Sequence, residues 1–403
     1  MISARAAAFL FVAFAVAYFL SALLRAVMAT LAPLFSAEMG LGRGDLGLLA
    51  GAYFLGFAAL QLPLGAALDS FGPKRVLICF LVAAVLGCAG FAVAQTFGGL
   101  LGARALIGVG VSACLLAPLT SYRRHFSPSA QLRANSYMLM TGSLGMLSST
   151  LPVQWLLPTL GWRGLFWMLA AAIALAIVLI HVVVPSDEPS PPAVRQSHGY
   201  RAIFRHPTFL RLLPLGMINY GGMIAIQALW AGPWLTDVAG RSAEGAAEGL
   251  FLINAAMLGT FIAWGIALPR LAVRGWTAQR LIAAGVPVSL LLVAAAVLLG
   301  PAAGAPLWAA WCVSSTSLSL AQPAVGQAFP SAQAGRALSA YNLAIFVGVF
   351  LVQWGIGLVI DGLMGIGTDR VSAYRMAFAI FGLLCLAAYG WFMIRSDEAA
   401  NRP

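Results

Sequence analysis

Two arginines stand inside apolar stretches of the sequence, where a charge is energetically unfavourable. Arg25 lies in the middle of YFLSALLRAVMATLAPLF (residues 18–35), and Arg104 lies in the apolar stretch 98–121. A guanidinium at the centre of a bilayer costs about 2.5 to 3.5 kcal/mol on insertion scales, and it keeps its proton. Its planar fork binds carboxylate, sulfonate or phosphate oxygens through two parallel hydrogen bonds. Both side chains are therefore candidates for binding an organic anion.

The acidic residues indicate what these arginines bind. The chain has 12 Asp and Glu residues, and none of them falls within the core of an apolar stretch. Ionisable residues inside a membrane pair with one another or with backbone carbonyls, or they mark the path of a substrate. Because the apolar cores offer no carboxylate, we predict that an anionic substrate supplies the negative charge.

Polar and aromatic residues recur at helical spacing on the apolar stretches. Around Arg25, spacings of three and four residues align four side chains on one face of a helix. Similar stripes follow on residues 209–235 and 305–328, and Ser112 lies two turns beyond Arg104. A polar stripe within a membrane requires a wet cavity or polar contacts between helices. Besides the two arginines, we assign to the substrate site Tyr18, Ser21, Met28, Ser112, Tyr220, Met223, Gln227, Trp230, Trp311 and Ser315.

For some residues on these stretches, structural roles compete with substrate binding. The serines of the third stripe, including Ser315, would alternatively serve only for packing or bond to their own backbone. Trp234 continues the second stripe, but we expect it to be an anchor at the membrane surface. Glycines allow membrane helices to approach one another closely. We expect this role for Gly47, Gly51, Gly142, Gly145 and Gly348.

The composition requires that membrane-spanning helices position these residues. Hydrophobic residues make up 61% of the chain and charged residues only 9%, whereas a soluble domain has about 25% charged residues. Runs of about 20 apolar residues are long enough to cross a bilayer as helices, and they lack the alternation of a transmembrane barrel. We predict an all-α membrane protein with twelve spans, at residues 7–35, 46–68, 76–95, 98–121, 135–159, 164–184, 209–235, 249–269, 281–300, 305–328, 337–360 and 373–394.

The basic residues orient the chain in the bilayer. The net charge is +11, and 16 of the 23 Lys and Arg residues fall in loops on one predicted side. Cytoplasmic loops carry such an excess, so the charge implies no nucleic-acid partner, and the even number of spans places both termini on this cytoplasmic side. The stretch 185–208 is rich in Pro, Ser and charge, which is typical of a linker. We therefore predict an N-terminal six-helix bundle (1–184), this cytoplasmic linker, and a C-terminal six-helix bundle (209–403).

A short motif at the end of the second span resembles a known family. GAALDSFGPKR (65–75) is similar to the loop G-x-x-x-D-[RK]-x-G-[RK]-[RK] of the major facilitator superfamily, except that Ser70 and Pro73 replace basic residues. Arg104-x-x-x-Gly108 is similar to the second motif of that family. GIALPRLAVRGWTAQR (265–280) echoes the first motif after the eighth span, which is expected of a duplicated bundle. The resemblance covers the whole chain and implies two pseudo-symmetric six-helix bundles.

The resemblance also implies roles for individual residues. In the family, the aspartate of the first motif faces the N-terminus of helix 11, whose dipole is positive. The implied conformational latch comprises Gly65, Asp69, Gly72, Lys74 and Arg75, and its alternative is a basic loop that only fixes topology. Gly65 would let helices approach closely. The family position of Arg104 often contacts backbone carbonyls, so a structural role for Arg104 stays open beside a role in substrate binding.

These observations lead to a functional hypothesis. We expect a secondary active transporter that moves a small organic anion across the bacterial inner membrane by alternating access. Uptake is favoured, and proton symport is the default although no proton site is visible; anion exchange and facilitated diffusion stay open. The alternatives are an exporter of amphipathic compounds and, from another class, a transporter-like receptor or scaffold. The sequence has no nucleophile–base pair or metal-binding cluster, so we expect no enzymatic activity, metal or cofactor, and a monomer whose partners are substrate, lipid and protons.

Overall fold

Helices account for nearly all of the structure. The computed structural model describes residues 4–185 and 200–400, and these residues include no β-strand, as predicted. Most of the predicted linker, residues 186–199, lies outside the described residues. In chain order the helices are α1 (Ala4–Met39), α2 (Arg43–Ala59), α3 (Gln61–Phe71), α4 (Pro73–Val93), α5 (Phe97–Val111), α6 (Leu116–His125), α7 (Pro128–Ser148), α8 (Leu151–Val183), α9 (Tyr200–Phe204), α10 (Pro207–Pro214), α11 (Gly221–Ala225), α12 (Ala231–Pro233), α13 (Ala243–Val273), α14 (Ala278–Leu299), α15 (Ala305–Ser315), α16 (Ala321–Gln327), α17 (Ser331–Gly365) and α18 (Arg370–Ala400).

Length and composition identify fewer candidate spans in the described residues than the twelve that the sequence predicts. Within the described ranges, nine helical segments are long and apolar enough to cross a bilayer, or ten if α2 and α3, bent by 46°, count as one. The predicted span 135–159 is divided, because α7 ends at Ser148 and residues 151–159 begin α8, which continues through a kink at Gly161 (φ 61°). The predicted span 305–328 is interrupted by a 3₁₀ turn, Thr316–Leu320. The count of twelve stays a prediction.

Contacts group the chain into two compact units. The first unit comprises Met1–Val27 and Ala52–Ser197, and the second comprises Met28–Gly51 and His198–Pro403. The segment Met28–Gly51, which is the end of α1 and the beginning of α2, thus belongs by its contacts to the second unit. The predicted division into two sequence halves assigns this segment to the first bundle, and that division stays a prediction.

Glycines bring helices into close contact within both units. A β-carbon at Gly108 of α5 would collide with the carbonyl of Tyr53 on α2, and one at Gly56 of α2 would collide with that of Ala105 on α5. These reciprocal contacts bring the two backbones together next to Arg104. Close contacts are also confirmed at the predicted glycines, where an added β-carbon would come under 3.0 Å from another helix: Gly47, Gly51, Gly142, Gly145 and Gly348.

The segment from α10 to Val238 in the second unit is not a regular α-helix. Three π-helical stretches, Leu215–Tyr220, Ile226–Trp230 and Trp234–Val238, alternate with the short helices α11 and α12. A π-helical turn contains an extra residue and often marks a functional site. The predicted stripe on this segment assumes α-helical spacing, so the extra residues change which side chains share a face.

Candidate functional site

Arg104 of the first unit is completely buried. It lies on α5 with none of its surface exposed, and no hydrogen-bond partner of its Nε, Nη1 or Nη2 occurs among the described residues. Its guanidinium carbon lies 4.9 Å from the ring centroid of Tyr53. A cation over an aromatic face is attracted by about 2 kcal/mol when the pair is shielded from water. The positive charge is thus held by a neutral ring.

Tyr53 connects this buried guanidinium to the other predicted arginine. The Tyr53 side chain is fully buried on α2, and its hydroxyl donates a hydrogen bond to the Ser21 carbonyl of α1 at 3.3 Å. The same hydroxyl interacts with the guanidinium of Arg25, which is half-buried one turn further along α1. One ring therefore contacts Arg104 through its face and Arg25 through its hydroxyl. The structure brings the two predicted arginines to a common neighbour.

Two cysteines complete the surroundings of the arginines. Cys88 interacts electrostatically with Arg104, and Cys114 with Arg25, and both thiols are free and buried. Within the described ranges, no three His, Cys, Asp or Glu residues form a group that could hold a metal ion. Tyr53 thus interacts with both guanidiniums, and one buried thiol interacts with each of them.

The other predicted residues of the first unit differ in their surroundings. Tyr18 is buried and its ring packs against Gly142 of α7, while Ser21 is buried beside Tyr53. The hydroxyl of Ser112 donates to the carbonyl of Val109 in its own helix at 2.7 Å. Met28, the last member of the Arg25 stripe, is buried in the second unit. The assignment of these residues to the substrate site stays a prediction.

The predicted residues of the second unit are mostly buried and bonded within it. Gln227 donates to the side chain of Asn254 at 2.9 Å, and the indole N–H of Trp230 donates to the carbonyl of Gln353 at 3.1 Å. Met223 is buried nearby, and Tyr220 is partly exposed. Their assignment to the substrate site likewise stays a prediction.

Trp311 and Ser315 border a small internal cavity. The Ser315 hydroxyl donates to the Trp311 carbonyl at 2.8 Å, which matches the alternative of bonding to its own backbone. The cavity has a volume of about 10 Å³ and is also lined by Asn219 and Ser289. The Asn219 Oδ1 has no hydrogen-bond partner in the part of the chain that the structure describes. The cavity is just large enough for one water molecule.

Trp234 corrects one expectation from the sequence. Its side chain is fully buried, donates to the carbonyl of Ala303 at 2.9 Å, and packs edge to face with Trp308. An anchor at the membrane surface would instead present its ring to lipid headgroups. The indole satisfies its polar N–H inside the second unit, so it is a core residue.

The motif after α3 forms a tight turn between two helices. Gly72 has a φ of 80°, its N–H bonds to the carbonyl of Leu68, and Pro73 begins α4. Asp69 and Arg75 are exposed, and Lys74 is partly exposed. No described atom lies within 4 Å of a β-carbon added at Gly65, so Gly65 makes no close helix contact in this structure. The turn is as expected, while its role as a latch stays a prediction.

Another arginine, Arg43, lies beside acidic residues in the second unit, at the beginning of α2. Arg43 Nη2 lies 2.7 Å from Asp237, and the Tyr374 hydroxyl donates to the same carboxylate at 2.7 Å. Asp361 of α17 accepts the backbone N–H groups of Arg43 and Gly44 at 2.9 and 2.7 Å. We call Arg43, Asp237, Asp361 and Tyr374 the α2 cap cluster. Within it, Asp361 caps the N-terminus of α2, where the helix dipole favours a negative charge.

The sequence did not identify the residues that bond to the predicted site residues in the two units. Tyr53 stands between Gly51 and Gly56, and a tyrosine beside glycines in an apolar span is the signal that was available for it. Asn254 and Gln353 are amides inside apolar spans, and such groups require partners within a membrane. The partners themselves lie on other helices, so spacing along one helix does not identify them.

The comparisons with known proteins agree with this architecture. The family model for the Major Facilitator Superfamily matches residues 14–353. Among curated proteins, none has a sequence that matches this chain. A bacterial homologue of the human lysosomal transporter Spinster, solved in an inward-facing and unoccupied conformation, superposes with a TM-score of 0.79 at 17% identity, over 98% of each chain.

Two further solved structures share the fold. The POT family transporter PepTSo superposes with a TM-score of 0.81 at 14% identity, over 100% of each chain. A D-xylose-proton symporter superposes with a TM-score of 0.77 at 15% identity, over 95% of this chain and 96% of that one. At such identities the likeness concerns the fold alone. The family model, which covers most of the sequence, shows that this multi-pass membrane protein belongs to the Major Facilitator Superfamily of secondary transporters.

Proposed function

We propose that the protein transports a small organic anion of the carboxylate, sulfonate or phosphate type by alternating access. Arg25, which is half-buried, would be the principal anchor of the anion. Arg104 has no exposed surface, so it would act on the anion through its charge and not by direct contact. The observation that carries the proposal is the buried guanidinium of Arg104, whose three nitrogens have no hydrogen-bond partner among the described residues.

No described hydrogen bond satisfies the charge of Arg104 within the protein. Removing an ion from water costs several kcal/mol, and this cost is usually offset by a partner of opposite charge. Two opposite unit charges 4 Å apart attract by about 4 kcal/mol at an effective dielectric constant of 20. An anion bound at Arg25 would therefore gain energy from both guanidiniums, whereas a cation would be repelled by both.

We also propose a membrane, a topology and a coupling ion for this transporter. We place the protein in the bacterial inner membrane with twelve helices and cytoplasmic termini. Uptake of an anion against an inside-negative potential needs a driving ion, because each charge costs about 2.3 kcal/mol per 100 mV. Proton symport is the simplest coupling, and the D-xylose-proton symporter shows that this fold supports it. The loop at Asp69 would open and close with the cytoplasmic side.

The first test is a thermal-stability screen of purified protein against three probes with one aromatic ring: benzoate, benzenesulfonate and phenyl phosphate. We expect at least one to raise the melting temperature of the wild type. Arg25→Gln should lower the affinity for that probe about 100-fold, which corresponds to about 2.8 kcal/mol. Arg163→Gln is the control, because Arg163 belongs to the same unit and likewise has an aromatic neighbour, Trp162, whose ring centroid lies 4.0 Å away, but is exposed.

The outcomes of this screen separate the candidate functions. Unchanged affinity in Arg25→Gln would contradict the assignment of the anchor. Cationic and neutral amphiphiles are screened in parallel. If only they stabilise the protein, and equally in the wild type and in Arg25→Gln, the result would favour an exporter in which the arginines are structural. Binding without uptake into liposomes would favour a receptor or scaffold.

A further inference from the structure

We infer that Tyr53 is the positioning residue of the anion site, because it orients both arginines without neutralising either of them. The inference rests on the proposed function and names a residue of the same site. The first observation is the fixed position of the ring. Gly108 contacts the Tyr53 carbonyl so closely that a β-carbon would not fit, and the Tyr53 ring packs edge to face against Phe54, with centroids 5.1 Å apart.

The second observation is the division of the ring into two contact surfaces. The Arg104 guanidinium lies over the face, 4.9 Å from the centroid, where the quadrupole of the ring is negative. The hydroxyl points to α1, where it meets the Ser21 carbonyl and the Arg25 guanidinium. The face and the hydroxyl therefore act on different arginines.

The chemistry of the hydroxyl determines what it does to Arg25. A phenol has one proton to donate and lone pairs that accept. Because the proton goes to the Ser21 carbonyl at 3.3 Å, the lone pairs remain available to accept an N–H from Arg25. A guanidinium has five N–H donors, and a bond to this neutral oxygen uses one of them without cancelling the positive charge. The Tyr53 hydroxyl thus fixes the orientation of the Arg25 guanidinium and leaves its charge unchanged.

A carboxylate at position 53 would also orient the arginines, but it would neutralise one of them. Tyrosine is the side chain that offers both an aromatic face for one cation and an acceptor oxygen for another. Tyr53 therefore leaves the charge of each arginine unchanged. Tyr53 contacts no substrate in this scheme and acts through the arginines.

The test uses two substitutions of Tyr53 and one matched control. Tyr53→Phe keeps the face over Arg104 and removes only the hydroxyl, whereas Tyr53→Leu removes both. Tyr122→Phe is the control, because Tyr122 is fully buried in the same unit and its hydroxyl has no hydrogen-bond partner among the described residues. Isothermal titration with benzoate, benzenesulfonate and phenyl phosphate gives the affinities, and thermal unfolding without probe gives the stabilities.

We expect Tyr53→Phe to weaken binding of the best probe about tenfold. Its melting temperature without probe should change no more than that of Tyr122→Phe, which should bind as the wild type does. In liposome uptake of that probe, Tyr53→Phe should raise KM about tenfold and leave kcat unchanged. A wrongly oriented Arg25 guanidinium weakens binding of the anion but does not slow the conformational cycle. Tyr53→Leu should weaken binding further.

The outcomes distinguish this inference from the proposed function. If the wild type binds none of the three probes, both are overturned. If the wild type binds and Arg25→Gln does not, but Tyr53→Phe binds as tightly as Tyr122→Phe, only the role of Tyr53 is overturned. A fall in kcat with unchanged KM in Tyr53→Phe would likewise overturn it, because it would indicate a role in the conformational cycle.

Discussion

Arg104 in the first unit and Arg43 in the second are both shielded from water, but their neighbours are opposite in kind. Arg43, whose side chain is 14% exposed, has a carboxylate 2.7 Å away and belongs to a cluster with two acids. Arg104 is fully buried and faces a tyrosine ring. The charge of Arg43 is neutralised within the protein and stabilises it. The charge of Arg104 is not neutralised there, which is the property expected of a binding site.

The largest expected effect concerns Arg43, whose charge is neutralised by Asp237. Asp237→Asn should destabilise the protein by about 3 kcal/mol, because breaking a buried ion pair leaves the other charge uncompensated. The melting temperature in detergent measures the loss. The double variant Arg43→Met with Asp237→Leu should recover part of it, since replacing both partners by apolar groups is nearly neutral. An unchanged melting temperature in Asp237→Asn would show that the ion pair contributes nothing.

A smaller effect is expected at Arg104, and it should be on binding. Arg104→Met removes a buried charge that no described hydrogen bond satisfies, so the melting temperature without ligand should stay the same or rise. The affinity for the best anionic probe should fall about tenfold, or about 1.4 kcal/mol. Arg43→Met is the contrasting variant, because it should lower the melting temperature. A strongly destabilised Arg104→Met would assign Arg104 a structural role and remove the distinction between the two arginines.

The smallest effect concerns the cap of α2. Asp361→Asn keeps the shape of the side chain but loses the negative charge at the helix N-terminus, which should cost about 1 kcal/mol. The matched control is Asp369→Asn, because Asp369 caps α18 through the N–H of Ser372 but is fully exposed. The control should lower the melting temperature less than Asp361→Asn does. Equal shifts would mean that burial of the α2 cap cluster adds nothing to the cap.

Much of the architecture follows from the sequence because it depends on local composition. The apolar runs predict an all-α membrane protein, and the glycines predicted to allow close helix contacts do so, with the exception of Gly65. The two arginines could be identified because a charge in an apolar run is conspicuous. The motif at Gly72 likewise predicts a tight turn, because its geometry is confined to a few adjacent residues.

The remaining features depend on which helices face each other, and helical spacing does not encode this. Tyr53 reaches Ser21 across 32 residues, and Gln227 reaches Asn254 across 27. The π-helical stretches around Gln227 and Trp230 alter the faces that α-helical spacing predicts. Trp234 is buried because Ala303 and Trp308 surround it, and neither is visible from its own span.

The cap of α2 also has a consequence for the time course of biosynthesis. The amide of Arg43 and the carboxylate of Asp361 are 318 residues apart in the chain. At a synthesis rate of 5 to 20 residues per second, the ribosome needs roughly 16 to 64 s to cover this distance. During that interval the first turn of α2 has been made, but the Asp361 carboxylate that accepts its N–H groups has not. Lipid headgroups, water or an insertion factor must serve as temporary acceptors, and the second unit acquires its complete set of contacts only near the end of translation.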